Sequence, residues 1–465
     1  MDQEALKQQD AEVAFDELYG LSDDIIDSVR AAVDLKAGVV ELKALLEPLH
    51  AADVADLLEQ LSGNQRHYVV QTLGSELDYE IISYLDDSIR EDIVDYLNTH
   101  QLVEIVSDLD SDDAFELIEN LDEEEQKQVL EAIPAENRAH YEQSLSFPED
   151  SAGRLIQREV FTIPSFWDVG KTIDYMRDVE NILPDDFYNL IVVDPSHKPT
   201  GMVKLSKLLR AERSIAVSDI MDEEAKIIPA MMDQENAAFL FRQYGLVEAP
   251  VVDESGRLVG VLTVDDIVDV MAEEHEEDML KLGGVAEDDL YSDVIKTTRL
   301  RFPWLFINLI TAVLAAAVIG LFEDALDQIV ALAILMPIVA SMGGNAGTQT
   351  LTVAVRALAT NELTAANALR IVGKETVVGG VNGFIFAIVA AMIAWWWFDN
   401  MMIGIVIATA MIINLIVAGL TGALIPLFLD KFGYDPAIGS TVILTTITDV
   451  VGFFSFLGLA AWVLL

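Results

Sequence analysis

The residue whose type and setting most demand a chemical explanation in this 465-residue chain is Asp449, in Thr445-Thr446-Ile447-Thr448-Asp449-Val450-Val451-Gly452. It is the one ionisable residue far from either end of an apolar run. A carboxylate at the centre of a bilayer costs about 2.5–3.5 kcal/mol even on a lenient insertion scale, so something must offset it. One reading has Asp449 protonated or hydrogen-bonded to a neighbouring helix. The other places it on a cation path, with three threonine hydroxyls beside it and Asn345, Gln349 and Asn414 in other apolar runs.

A second group of acids has helical spacing: Asp266, Asp269, Glu273, Glu276 and Glu277 follow one another on the stretch that joins the polar part of the chain to the apolar part. Carboxylates sharing a helix face repel by a few tenths of a kcal/mol per pair. Asp108, Asp110, Asp112, Asp113 and Glu116 form another acidic cluster. Such runs are either solvated faces or sites for hard divalent cations, which take oxygen ligands. The chain has no cysteine, and its six histidines are scattered, so thiolate sites and zinc chemistry have little support.

The elements that must hold these groups divide sharply by charge. The chain carries 28 Lys+Arg and 78 Asp+Glu, a formal charge of −50, yet 52% of its residues are hydrophobic. Residues 296–465 contain 7 basic and 9 acidic groups, leaving a charge of −48 on residues 1–295. An acidic body of that kind repels phosphate backbones, which argues against nucleic-acid binding. The acidic N-terminus has no apolar leader, so no export of the body is expected.

In the tail, apolar stretches at 302–322, 329–342, 377–397, 401–429 and 438–465 predict five membrane-crossing helices. With the acidic body in the cytoplasm, all 7 basic residues fall on the inner side, as the positive-inside rule requires for an N-in, C-out topology. Trp395, Trp396 and Trp397 end the third span where an interfacial anchor belongs. The second span is short before Gly343-Gly344-Asn345-Ala346-Gly347-Thr348-Gln349. That run is either irregular backbone lining a cavity at membrane depth or a cytoplasmic loop after a tilted helix.

In the body, leucine recurs at 49, 61, 73, 85, 97, 109 and 121, with Ile133 in the next slot. Two apolar residues stand four and three positions before each one, so every twelve-residue unit predicts a short helix stacking on its neighbours. Residues 150–275 repeat differently. Val192-Val193-Asp194 matches Val251-Val252-Asp253 and Gly201 matches Gly260, each 59 residues apart, implying two β-α-β-β-α units. The stretch VVDESGRLVGVLTVDD resembles a CBS pair, a regulatory module that often binds adenine nucleotides. That family's Gly-x-x-Thr-x-x-Asp pattern falls on Gly260, Thr263 and Asp266, with Thr263 and Asp266 the implied contacts to ATP. The first copy has Lys204 and Lys207 instead, so one nucleotide site is expected rather than two.

The whole order, together with PIVASMGGNAGTQ at 337–349, DPA at 435–437 and TTITDVVGF at 445–453, resembles the MgtE family of magnesium transporters. The resemblance implies a homodimer around one central channel, with Asp449 as ion-selecting aspartate and Thr445, Gly343, Gly344 and Asn345 lining the path. It also implies regulatory Mg2+ on Asp233, Glu235, Asp266, Asp269, Glu274, Glu277 and Asp278. A further family ligand falls near Gly245, which has no side-chain oxygen, so the number of regulatory ions stays open.

The expected architecture is a multidomain membrane protein: an all-α superhelical N-domain, an α/β tandem CBS pair and an all-α transmembrane domain of five helices. Its parts are an N-terminal extension (1–40), the helical repeat (41–149), the two CBS copies (150–213 and 214–272), a connecting or plug helix (273–298) and the pore domain (299–465). The expected function is magnesium import across the bacterial inner membrane, closed by cytosolic Mg2+ and not enzymatic, with any ATP acting as a regulator. No Gly-x-x-x-x-Gly-Lys-[Ser/Thr] loop is present, which argues against a primary pump. A proton-coupled exporter of divalent metals, also of the transport class, and an intramembrane aspartyl hydrolase, of the enzyme class, are the alternatives.

Overall fold

Each twelfth leucine marks the end of one helix and the start of the next. In the computed structural model, which describes residues 21–178, 183–184, 187–285 and 294–465, the first helices are α1 (Asp23–Asp34), α2 (Val39–Leu46), α3 (Ala51–Glu59) and α4 (Gly63–Leu73). They are followed by α5 (Asp87–Val94), α6 (Thr99–Asp108), α7 (Ser111–Glu119), α8 (Glu123–Ala132) and α9 (Ala135–Leu145). The residue after each periodic leucine is the N-cap of the next helix: His50, Ser62, Asp86, Asn98, Asp110 and Asp122. Asn98 accepts from the amides of His100 and Gln101, and Asp122 from those of Glu124 and Glu125, so the polar slot of the repeat satisfies donors that a helix start leaves unpaired.

Two expectations are corrected here. The unit over 75–86 is built from 3₁₀ turns, Gly74–Glu76 and Tyr79–Tyr84, although Ile81 and Ile82 remain buried. Gly74, at φ 50°, is the C-cap of α4 directly after Leu73. The described part of the supposed N-terminal extension is no separate piece, because Ile26, Val29 and Val33 of α1 join the same core as Leu42, Leu57 and Val69. Residues 1–20 of that extension lie outside the described residues.

Three arginines clamp the stack. Arg66 donates to the carbonyls of Leu58 (3.0 Å) and Leu61 (3.3 Å) and pairs with Asp92 at 2.5 Å. Arg90, twenty-four residues on, repeats this with Ile82 (3.2 Å), Leu85 (2.9 Å) and Glu116. Arg138 donates to Glu131 and Ile133. The structural unit is therefore a pair of helices.

The tandem CBS architecture follows. Strands β1 (Thr162–Pro164), β2 (Asn189–Val193) and β3 (Pro199–Lys204) form one sheet with α10 (Val169–Arg177) and α11 (Leu205–Arg210). After α12 (Val217–Ile220), β4 (Ile228–Pro229), β5 (Glu248–Val252) and β6 (Leu258–Thr263) form the second sheet, with α13 (Gln234–Tyr244) between β4 and β5. The register slips at Val192/Val193 in one sheet and at Val251/Val252 in the other, so the 59-residue repeat extends to a shared irregularity. Asn189 and Glu248, equivalent in the repeat, bond across the copies at 3.1 and 3.2 Å.

Helix α14 (Val264–Gly283) starts directly from β6, earlier than the connecting helix read from sequence, and ends before Gly284 at φ 77°. Residues 286–293 of that connection lie outside the described residues. The chain divides into two compact units between Val270 and Met271, within α14.

In the second unit, five helices among the described residues are long and apolar enough to span a bilayer. They are α15 (Val294–Gly320), α17 (Val330–Ala359), α18 (Ala368–Phe398), α19 (Met401–Lys431) and α20 (Ser440–Val463), with the short α16 (Glu323–Gln328) after the first. Half of the apolar window of α19 is buried, against 6% for α15, so the fourth span is the centre of the bundle. Helix α17 runs unbroken through the glycine-rich run, which is neither a break nor a loop. An intact helix satisfies its own backbone at membrane depth.

Candidate functional site

Asp449 sits midway along α20, partly buried, with no side-chain partner among the described residues. Thr445, one turn below, gives its hydroxyl to the carbonyls of Thr441 (2.9 Å) and Val442 (3.2 Å), and Thr448 is fully buried and bonded to Leu444 (3.1 Å). The three hydroxyls near Asp449 are thus held by their own helix, and the Thr445 carbonyl itself accepts from the Thr448 hydroxyl at 3.0 Å.

On α17, Ser341, Asn345 and Gln349 are all exposed and lie four residues apart, forming a polar stripe on one face. Asn345 donates to Ser341 at 3.4 Å. Polar side chains on a membrane helix face bundle interiors or water-filled cavities, since lipid offers them no partners. Gly344 is partly exposed, while Gly343 is buried against Asn414 of α19. Leu351 and Val355 of α17 pack with Leu444 of α20, which fixes the two polar-bearing helices together.

The acids of the first unit separate into two kinds. Asp233 and Glu235 are exposed at the start of α13, where Asp233 caps the helix by accepting from the Glu235 amide at 3.0 Å. Asp266 is held instead by Thr263, whose hydroxyl donates to it at 2.5 Å, so the two nucleotide-motif residues are brought together and satisfy each other. Burial pushes the Asp266 carboxyl well above the usual carboxylate range, with the charges of Asp265 and Asp113 adding to the effect. Asp112, on α7, is raised too, first by burial and then by the charge of Asp266. Asp113 is pushed up to about 6, mainly by burial. The first turn of α7 therefore meets the first turn of α14 through carboxylates that resist ionising together. No local pattern signals that these two clusters face one another, because Asp112 and Asp266 lie far apart along the chain.

Further along α14, Asp269 is raised by burial and by Asp265. In the second unit, Glu277 pairs with Lys281, and Lys281 also reaches Asp435 at 2.6 Å in the segment before α20. Asp278 is pushed up to about 6 by burial and by Asp435, with Glu274 a smaller contributor. The Thr441 hydroxyl donates to the Leu282 carbonyl at 3.0 Å. Among the described residues no three acidic or histidine side chains converge as a preformed metal cage. The paired carboxylate oxygens at α7 and α14 are a donor type that suits a hard divalent cation.

Comparison with known proteins gives consistent matches. Residues 336–459 match the divalent cation transporter family MgtE, residues 49–150 the MgtE intracellular N domain, and residues 217–273 the CBS domain. The chain is 32% identical over 317 residues to a magnesium transporter MgtE of Bacillus subtilis, covering 68% of this chain and 70% of the relative. It is 32% identical over 335 residues to a magnesium transporter MgtE of Thermus thermophilus, covering 70% and 73%. Among solved structures, the cytosolic domain of the Mg2+ channel MgtE in complex with ATP aligns at 27% identity with a TM-score of 0.48, covering 53% of this chain and 99% of that one.

Proposed function

The chain belongs to the MgtE family of magnesium transporters, and from that premise we propose that it imports Mg2+ across the bacterial inner membrane and is closed by Mg2+ in the cytosol. The observation that carries the import reading is the unpartnered Asp449 at the middle of an apolar span. Two such spans related by a dimer axis would bring two carboxylates around one path, and rings of acidic side chains attract cations. The exposed Ser341–Asn345–Gln349 stripe supports the homodimer, because a second copy or enclosed water relieves polar groups that lipid cannot satisfy. Magnesium sheds its water reluctantly, so amide and backbone oxygens at Asn345, Gly344 and Thr445 suit contacts to a hydrated ion.

Direction follows from energetics. An inside-negative potential contributes about 2.3 kcal/mol per charge per 100 mV, so inward flow of a divalent cation needs no ATP hydrolysis. The orientation with the acidic body inside rests on the distribution of the 7 basic tail residues.

Closure is assigned to the acids. Asp112, Asp113 and Asp266 face one another under repulsion, and bound Mg2+ would relieve it, holding the helical domain on the second CBS copy. Asp233, Glu235, Asp269, Glu274, Glu277 and Asp278 are the further regulatory donors. ATP, contacting Thr263 and Asp266, would act as a regulator, since its binding competes for the hydroxyl now given to Asp266. The test is Mg2+ uptake into liposomes holding the full chain, with internal Mg2+ varied. Uptake should fall as internal Mg2+ rises, and flux indifferent to internal Mg2+ overturns the closure reading.

A further inference from the structure

Asn414 is a buried polar group of the second unit that the ion path just described does not use. It lies midway along α19, the central span, and is fully buried. Its Nδ2 donates to the Val339 carbonyl of α17 at 2.8 Å. Its Oδ1 has no hydrogen-bond partner among the described residues. Turning the amide over would set two carbonyl oxygens against each other at Val339, so the hydrogen bond itself identifies the oxygen as the free end. A buried acceptor left unpaired loses its water without compensation and calls for an explanation.

Its neighbours supply one. A Cβ at Gly343 of α17 would come 2.2 Å from the Asn414 amide nitrogen, and a Cβ at Gly452 of α20 would come 2.8 Å from it. Neither position admits a side chain while Asn414 stays in place. Gly343 lies two residues before Asn345, and Gly452 three residues after Asp449. One carboxamide on the central helix thus touches both helices that carry the polar groups of the path, each close to the group itself.

We propose that Asn414 is a specificity-determining positioning residue. Its carboxamide sets the spacing of the second and fifth spans, and its uncompensated oxygen leaves the negative end of a fixed dipole beside the turn that carries Asp449. The proposal rests on the reading that ions pass Asp449.

The test uses the full chain in liposomes, with Mg2+ and Ca2+ uptake measured side by side. Asn414→Leu keeps the branched heavy-atom shape of the side chain and removes the dipole. Its expected result is an assembled protein whose ratio of Mg2+ to Ca2+ uptake falls about tenfold. An assembled Asn414→Leu protein with unchanged rate and ratio overturns the proposal. Gly343→Ala should suppress flux by collision with the amide, and Gly343→Ala/Asn414→Ala should recover several-fold of it. If Asn414→Leu does not assemble, this pair decides, and a double variant no better than Gly343→Ala overturns the spacing argument. Asp449→Asn is measured in parallel. Unaltered flux in that variant defeats the reading of Asp449 but leaves the coupling of Asn414 to Gly343 measurable in its own right.

Discussion

Replacing Asp449 by Ala removes a carboxylate and leaves the apolar length of α20 intact, so the variant should insert and assemble while Mg2+ uptake drops to background. Retained, selective uptake by the assembled variant would remove Asp449 from the path. Arg90 offers a contrasting case, in which the effect is on folding. Its side chain is 6% exposed and satisfies two carbonyls as well as Glu116. Arg90→Ala strands those acceptors and should destabilise the helical stack by roughly 2–3 kcal/mol, seen as a lowered midpoint in denaturant unfolding of the first unit, with transport chemistry untouched. Single residues were unevenly legible. Asp449 stands out in any hydropathy reading because a charge interrupts grease. Arg66 and Arg90 do not, since isolated basic residues in an acidic domain look like surface, and only their 24-residue spacing betrays a shared buried role.

At the level of elements, the meeting of α7 with the start of α14 is the part most open to solution conditions. Asp112, Asp113 and Asp266 are all raised above an ordinary carboxylate, so the packed arrangement holds these protons more tightly than an unfolded chain does. The contribution is fully present below the ordinary carboxylate value of about 4 and is lost as pH rises through about 6 for Asp113, and higher for its two neighbours. Without Mg2+, protection factors over α7, taken after correction for the base-catalysed rise of intrinsic amide exchange with pH, should therefore be larger at pH 5.5 than at pH 8, and added Mg2+ should narrow the difference. Smaller protection at the lower pH would contradict this account. Neutralising Asp266, Asp269, Glu274 and Glu277 together should leave uptake running at high internal Mg2+. Unchanged inhibition would locate closure in other residues. The helices themselves were readable because the repeat puts leucine, cap and apolar pair in fixed slots. The glycine-rich run of α17 was misread because glycine argues for a break when no neighbour is in view. Asn414 is the neighbour that leaves room only for glycine at Gly343, and Leu444 crowds Gly347 in the same way, inside an unbroken helix.

At the scale of the whole molecule, nearly all of the −50 charge belongs to the part of the chain before the first span. A potential across the membrane acts on the ion in transit and leaves that soluble charge where it is. A potassium diffusion potential of about 100 mV, inside negative, should therefore accelerate Mg2+ uptake, and a pH gradient imposed without a potential should not. Uptake that follows the pH gradient alone would favour a proton-coupled carrier. Charge partition, span number and the two internal repeats were all evident in the order of residues along the chain. Which acid meets which was hidden, because pairing between residues far apart along the chain leaves no local pattern.

The bonds from Lys281 to Asp435 and from Thr441 to the Leu282 carbonyl tie the end of α14 to the foot of α20. Asp449 stands two turns above Thr441 on that same rod. A pull on α14 is therefore felt as a tug on the mooring of the helix that carries Asp449. Unless both fastenings slip, handle and rod have to travel as one piece.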